Sequence, residues 1–215
     1  MTPRVARVVA FDGGLANMGA VLAHVTERGT VLLDAAVLFS TEKGGGTAKR
    51  APGAKASGAT GITASADNRR RTREMSAMVR DFLRGSDGQP RADIVVVEAF
   101  SRPPHPSAGA KLAMALAVVE AWCGELGIPT AEVSPQSIKA ALGVERGLDK
   151  KASKAAVRSA VDLLLWPDGE DTLAARYLLP AGIPAGNHEH PYDALAALFT
   201  AVEKDRLRAV LPMAT

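Results

Sequence analysis

The segment DIVVVE, Asp93 to Glu98, is the stretch on which the fold turns. Four consecutive apolar residues, three of them valine, are too few for a helix and too uniformly apolar for a strand with one wet face. Such a run belongs inside a sheet covered on both sides. Working back toward the N-terminus, Val5 to Phe11, Met18 to Val25 and Thr30 to Ser40 are three more short runs rich in Val and Leu, separated by Gly-containing turns, and they read as strands. From about Asp67 to Arg84 the apolar spacing changes to three and four (Met75, Met78, Val79, Phe82), which predicts a helix. Working forward, a Pro-rich turn at Arg102 to Pro106 precedes an Ala-heavy helix from Ser107 to Leu126. A strand from Thr130 to Val133 follows, then helices near Pro135 to Leu142 and Lys150 to Leu165. A Gly- and Pro-containing loop, Trp166 to His188, encloses a helical turn near Leu173 to Leu178. The last helix is expected to open at Pro191, a favourable residue at a first helical position, and to run to about Arg208. Three strands before the alternation with helices imply an α/β fold with a mixed sheet and helices on both faces. The chain of 215 residues suits a single domain, 1–215.

Charge is unevenly spread. The overall balance is +3, yet Lys43 to Arg91 holds eleven basic and four acidic residues, a local excess of seven, which leaves the remainder four negative. A basic segment on a near-neutral body suits a polyanionic partner, and a solvated helix face with a flexible loop accounts for the same charges. Within the segment, Arg69, Arg70 and Arg71 are the candidate contacts to such a partner. Residues 41–66 are mostly Gly, Ala, Ser, Thr and Lys, with one Pro and one large aliphatic, Ile62, and are expected to form a mobile basic insertion, because they bury too little to offset their ordering entropy. No apolar run approaches the roughly 18–20 residues of a membrane span. The N-terminus carries no signal peptide, and the single cysteine, Cys123, has no internal disulfide partner. A cytoplasmic protein without membrane contact is the expectation.

Three acids stand where acids are conspicuous. Asp12 ends the first strand before Gly13 and Gly14, Glu98 ends DIVVVE, and Asp193 lies in the first turn of the last helix, in HPYDALAALFTAV. Strand C-termini border the ligand crevice of α/β sheets, so carboxylates distant in sequence can converge there. Converging carboxylates repel unless a cation joins them, and Mg²⁺ or Mn²⁺ takes such oxygen ligands. Taken singly, each has a structural use: Asp12 suits a turn, Glu98 an ion pair or loop cap, and Asp193 the helix dipole.

In this order, on this pattern, the acids resemble those of the RuvC-type Holliday junction resolvases, and among them a bacteriophage-like relative. Asp12, Gly14 and Gly19 match the family's opening strand. IVVVEAF matches its second acid, SAGAKLAMALAVVEAW the helix that follows, AEVSPQSIKAALG a Lys-containing turn, with Lys150 eleven residues on, and His190 with DALA from Asp193 its last helix. The resemblance covers most of the chain outside 41–66 and 166–189. It implies a ribonuclease H-like fold and a Mg²⁺-dependent nuclease, with Mn²⁺ also accepted. The partner would be branched DNA, a four-way junction, cut by a homodimer. Asp12, Glu98, His190 and Asp193 would be the catalytic and metal-binding set, with Lys139, Lys150 and Phe100 as DNA contacts. His190 stands where many members have Asp, and a helix-capping use remains open for it; His188 and Glu189 are lower-ranked substitutes. Gly13, Leu15 and Ala16 depart from the family's Pro, Ser and Arg. Phe100 follows Glu98 by two residues rather than three, which leaves a core place open for it.

Two other function classes fit parts of the pattern. A catalytically inert junction-binding protein would keep the fold, but the three acids are intact. A sugar-kinase or actin-like ATPase shares the opening strands, yet no second Gly-rich phosphate loop occurs in the chain.

Overall fold

The computed structural model describes residues 5–41, 64–85, 87–99, 106–145 and 147–207. Five strands form one sheet: β1 (Val5–Gly13), β2 (Asn17–Thr26), β3 (Val31–Ser40), β4 (Ile94–Glu98) and β5 (Thr130–Val133), in the order β3-β2-β1-β4-β5. β1 pairs antiparallel with β2, and β2 with β3; β4 pairs parallel with both β1 and β5. The expected mixed sheet is what forms. Helices α1 (Ala64–Leu83) and α2 (Pro106–Leu126) cover one face, and α3 (Pro135–Ala141), α4 (Lys150–Leu165) and α5 (Glu189–Glu203) the other.

The two-residue period of a strand divides the core in two. Val8, Ala10, Ile94 and Val96 point toward α5, packing with Leu195, Leu198 and Ala201. Val9, Phe11, Val95 and Val97 point the other way, onto Met75, Val79 and Leu83 of α1 and Val118 and Val119 of α2. DIVVVE is thus buried on both faces, its four apolar residues at most 2% exposed. At roughly 1.5–3 kcal/mol for each fully buried valine, a one-residue slip of this strand is costly, so its register is fixed. α5 lies across the sheet with nine of its residues buried, five of them alanine or proline, small enough for the helix to approach closely.

Three boundaries differ from the sequence expectations. α1 begins at Ala64, so residues 64–66 belong to a helix and not to the insertion. α5 begins at Glu189, placing Pro191 third in the helix instead of first. Any of the first four positions tolerates a residue without an N–H, so proline marks the first turn without fixing its first residue. α5 also ends at Glu203, not near Arg208, because Asp205 adopts a left-handed φ of 55° and Arg206 N–H returns to the Ala201 carbonyl at 2.8 Å. The expected turn near Leu173 to Leu178 is present as a wide helical turn, Ala174–Leu178, with Leu179 N–H reaching the Ala174 carbonyl at 2.9 Å. Among the described residues no helix is long and apolar enough to cross a membrane.

Candidate active site

Strand alternation brings the acids together. Asp12 follows Val8 and Ala10 on the α5 face of β1, and Glu98 follows Ile94 and Val96 on the α5 face of β4. The parallel ladder aligns Phe11 with Val97, so Asp12 and Glu98 are the next residues on neighbouring strands, whose spacing is about 4.8 Å. The two carboxyls are close enough for Asp12 to push the Glu98 carboxyl upward. α5 supplies the rest from above: His190 Nδ1 lies 3.3 Å from Asp12 Oδ2, and Asp193, three residues on, shares its helix face. All four predicted residues are therefore brought to one place.

Two glycines make the approach possible. Gly19 is opposite Asp12 on β2, and a Cβ there would stand 2.2 Å from the His190 carbonyl carbon and 2.4 Å from Pro191 N. Gly13 has a left-handed φ of 123°, and a Cβ there would meet the Asn17 carbonyl oxygen at 2.5 Å and His190 Nδ1 at 3.2 Å. Gly14, part of the matched pattern, has open space around it. Gly13, counted as a departure, is thus under tighter constraint than Gly14. Leu15, another departure, is buried in the core.

The site is short of positive charge. Burial first, then Asp12 and Asp193, push the Glu98 carboxyl up to about 8, against a small opposing pull from Lys139. Burial and Asp12 push Asp193 up to about 7, with Lys154 and His190 drawing it down. For His190, burial opposes the charged form but is outweighed by Asp12, Glu189 and Asp193, so its pKa lies above the ordinary value. Among the described residues no group of three or more His, Cys, Asp or Glu side chains is already arranged to hold a metal ion.

Around the acids the surface is basic on one side. A groove of about 420 Å³ is lined by Glu98 and Asp193 together with Lys139, Lys150 and Lys154. Ser134 caps α3, accepting from Ser137 N–H at 3.1 Å, and Asp149 caps α4, accepting from Ala152 N–H at 2.9 Å. These caps fix the helices that carry the lysines. Lys154 was not singled out by sequence; its position four residues after Lys150, on the same helix face, is the signal that was there to read. Its ammonium pairs with Glu189 in the first turn of α5.

The remaining predicted residues are placed as follows. His188 is buried, its Nε2 2.8 Å from the Ile183 carbonyl, where it holds the preceding loop and stays out of the site. Arg70 pairs with Asp67 and Glu74, and Arg71 with Asp67, so both are engaged within α1, whereas Arg69 is exposed. Phe100, and Lys43, Lys49, Arg50 and Lys55 of the insertion, lie outside the described residues. The chain leaves β3 at Thr41, which is tied to the loop after Asp12 by its hydroxyl on the Leu15 carbonyl at 2.7 Å and its N–H on that of Ala16 at 2.9 Å.

No family model and no curated protein matches the sequence. The fold does have solved counterparts. It is similar to RuvC of Thermus thermophilus in complex with a Holliday junction substrate, with a TM-score of 0.62 at 19% identity, over 95% of this chain and 96% of that one. A second structure of Thermus thermophilus RuvC matches with a TM-score of 0.61 at 19% identity over the same shares. The yeast mitochondrial Holliday junction resolvase matches with a TM-score of 0.58 at 13% identity, over 96% of this chain and 82% of that one. The chain has the ribonuclease H-like fold of these proteins.

Proposed function

We propose that this chain is a divalent-metal-dependent DNA endonuclease that resolves four-way junctions. The observation that carries the reading is the meeting of Asp12, Glu98, His190 and Asp193 at the C-terminal ends of β1 and β4 under the first turn of α5. Carboxyls whose burial and close neighbours disfavour their charged form, as at Glu98 and Asp193, fit a hard cation that supplies the missing charge through oxygen ligands. The four residues would hold Mg²⁺, and the imidazole also suits Mn²⁺. A bound ion of this kind would supply Lewis-acid chemistry, lowering the pKa of a water and offsetting the charge on the leaving oxygen of a phosphodiester.

The protein's own part is positional. Adjacent strands keep Asp12 and Glu98 side by side, and α5, seated on Gly19, sets His190 and Asp193 above them. His190 engages Asp12 through Nδ1, which orients the ring and leaves Nε2 to ligate or to handle a proton. Lys139 and Lys150, which line the same groove as Glu98 and Asp193, are suited to hold the phosphate backbone near the acids. The matching fold of RuvC, solved with a Holliday junction substrate, supports the choice of branched DNA.

A junction has approximate two-fold symmetry and each chain carries one acid cluster, so paired cuts require two copies. The outer side of α2 leaves Ala110, Ala113, Ala117 and Ala121 exposed, small residues against which a second copy's helix can pack. The test is a synthetic four-way junction with separately labelled strands, incubated with Mg²⁺ and accompanied by light scattering. A dimer placing nicks in two opposing strands is expected. A monomer that nicks one strand, or cuts linear duplex equally well, overturns junction resolution.

A further inference from the structure

Resting on the nuclease reading above, we propose that Lys154 is a third phosphate contact of the catalytic groove, exchanging its partner Glu189 for a phosphate of the bound strand. Lys154 lines the same groove as Lys139, Lys150, Glu98 and Asp193. Its side chain is 36% exposed, so the ammonium is within reach of a ligand in the groove. An ion pair this open to solvent contributes little to stability, and giving it up for a phosphate costs correspondingly little. Lysine serves as a compact point charge that needs no fixed fork geometry and can follow its partner through a small swing. Glu189 is suited to the opposite half of the exchange. Its side chain is 29% exposed, so a released carboxylate can turn to water.

The rival use of the pair is as a clamp fastening α4 to α5, and the two uses separate in one experiment. Four-way-junction affinity of the full chain is measured by fluorescence anisotropy across a NaCl series in EDTA for wild type, Lys154→Gln, Lys154→Arg and Glu189→Gln, with nicking in Mg²⁺ as the control. Loss of one phosphate contact should lower the salt slope by about 0.9 and the affinity about eightfold at 0.1 M salt. Lys154→Gln should show both effects, and Lys154→Arg should restore both. Glu189→Gln should bind as tightly as wild type or tighter, because the pair is broken but the ammonium remains. If Lys154→Gln and Glu189→Gln weaken binding together with the slope unchanged, the pair is a clamp and the inference fails. A wild type that binds and nicks while Lys154→Gln keeps the full slope also overturns it, leaving the nuclease reading intact. A wild type that neither binds nor nicks the junction removes the nuclease reading, and this one with it.

Discussion

Replacing Gly19 by alanine adds one methyl group where β2 meets the first turn of α5. The new Cβ would stand 2.2 Å from the His190 carbonyl carbon and 2.4 Å from Pro191 N. Both are backbone atoms, so no side chain can swing aside. Ordinary contact begins near 3.4 Å, and to reach it the helix start must retreat by about 1.2 Å. A retreat of that size along the line to the sheet carries His190 Nδ1 from 3.3 Å to about 4.5 Å from Asp12, beyond hydrogen-bond range. Overpacking of this kind costs about 1–3 kcal/mol, and a misplacement of about 1 Å at a reacting centre costs on the order of 100-fold in rate. Gly14→Ala is the matched control, with no atom within 4 Å of its Cβ; a change there should stay within about 0.5 kcal/mol. Urea denaturation and single-turnover nicking of a labelled junction read both quantities. A Gly19→Ala protein as stable and as active as Gly14→Ala would refute the claim that this contact seats the catalytic helix.

Asp12→Asn, Glu98→Gln and Asp193→Asn should each abolish nicking while leaving junction affinity largely intact, since lysine and arginine contacts to phosphate supply most of the binding; near wild-type nicking by any of them, or a collapse of affinity in gel-shift titration, would contradict this. His190→Ala should slow nicking severely and His190→Asp should keep partial activity, because a carboxylate still ligates a hard metal; full activity of the alanine variant would reduce the residue to a helix cap. The metal-free protein should lose stability as pH rises from about 6 to 8.5. Glu98 and Asp193, pushed up to about 8 and 7, keep protons in the folded state that the unfolded chain has already released, and His190, also raised, acts with the same sign. Thermal melts in EDTA should show this fall, Glu98→Gln should flatten it and Mg²⁺ should reverse it; a melting temperature independent of pH in this window would contradict it. Deleting Gly44 to Ile62 should weaken junction binding and flatten its salt dependence while the sheet stays folded, and an unchanged slope would leave the segment without a role in binding.

What the sequence made legible is what strand and helix periodicity carries. DIVVVE announces a strand buried on both faces, and the two-residue period puts Glu98 on the same side as Ile94 and Val96, as it puts Asp12 with Val8 and Ala10. Three-residue spacing similarly pairs His190 with Asp193. What stayed hidden depends on approach between elements. His188 and His190 are two residues apart, yet the first is turned into a loop carbonyl and the second into the site, a difference set by where α5 begins. Proline at 191 narrows that start to a turn and no further. Gly19 looks like any glycine in a strand until α5 is laid across it. Lys154 gains its place from Glu189, 35 residues away, and no local pattern joins the two. The start of α1 at Ala64 was masked because alanine and serine compose both the helix end and the segment before it.

The central claim is that Asp12, Glu98, His190 and Asp193 form one divalent-metal site, and calorimetric titration of Mn²⁺ into the protein near pH 7, repeated in buffers of different ionisation enthalpy, tests it without any DNA. Metal ligands must shed their protons to bind, and Glu98 and Asp193 hold theirs near neutrality. The expected result is saturable binding that releases protons, with the release diminished in Glu98→Gln and binding lost in Asp12→Asn. Failure to bind Mn²⁺, or binding that releases no protons and is indifferent to both substitutions, would contradict it.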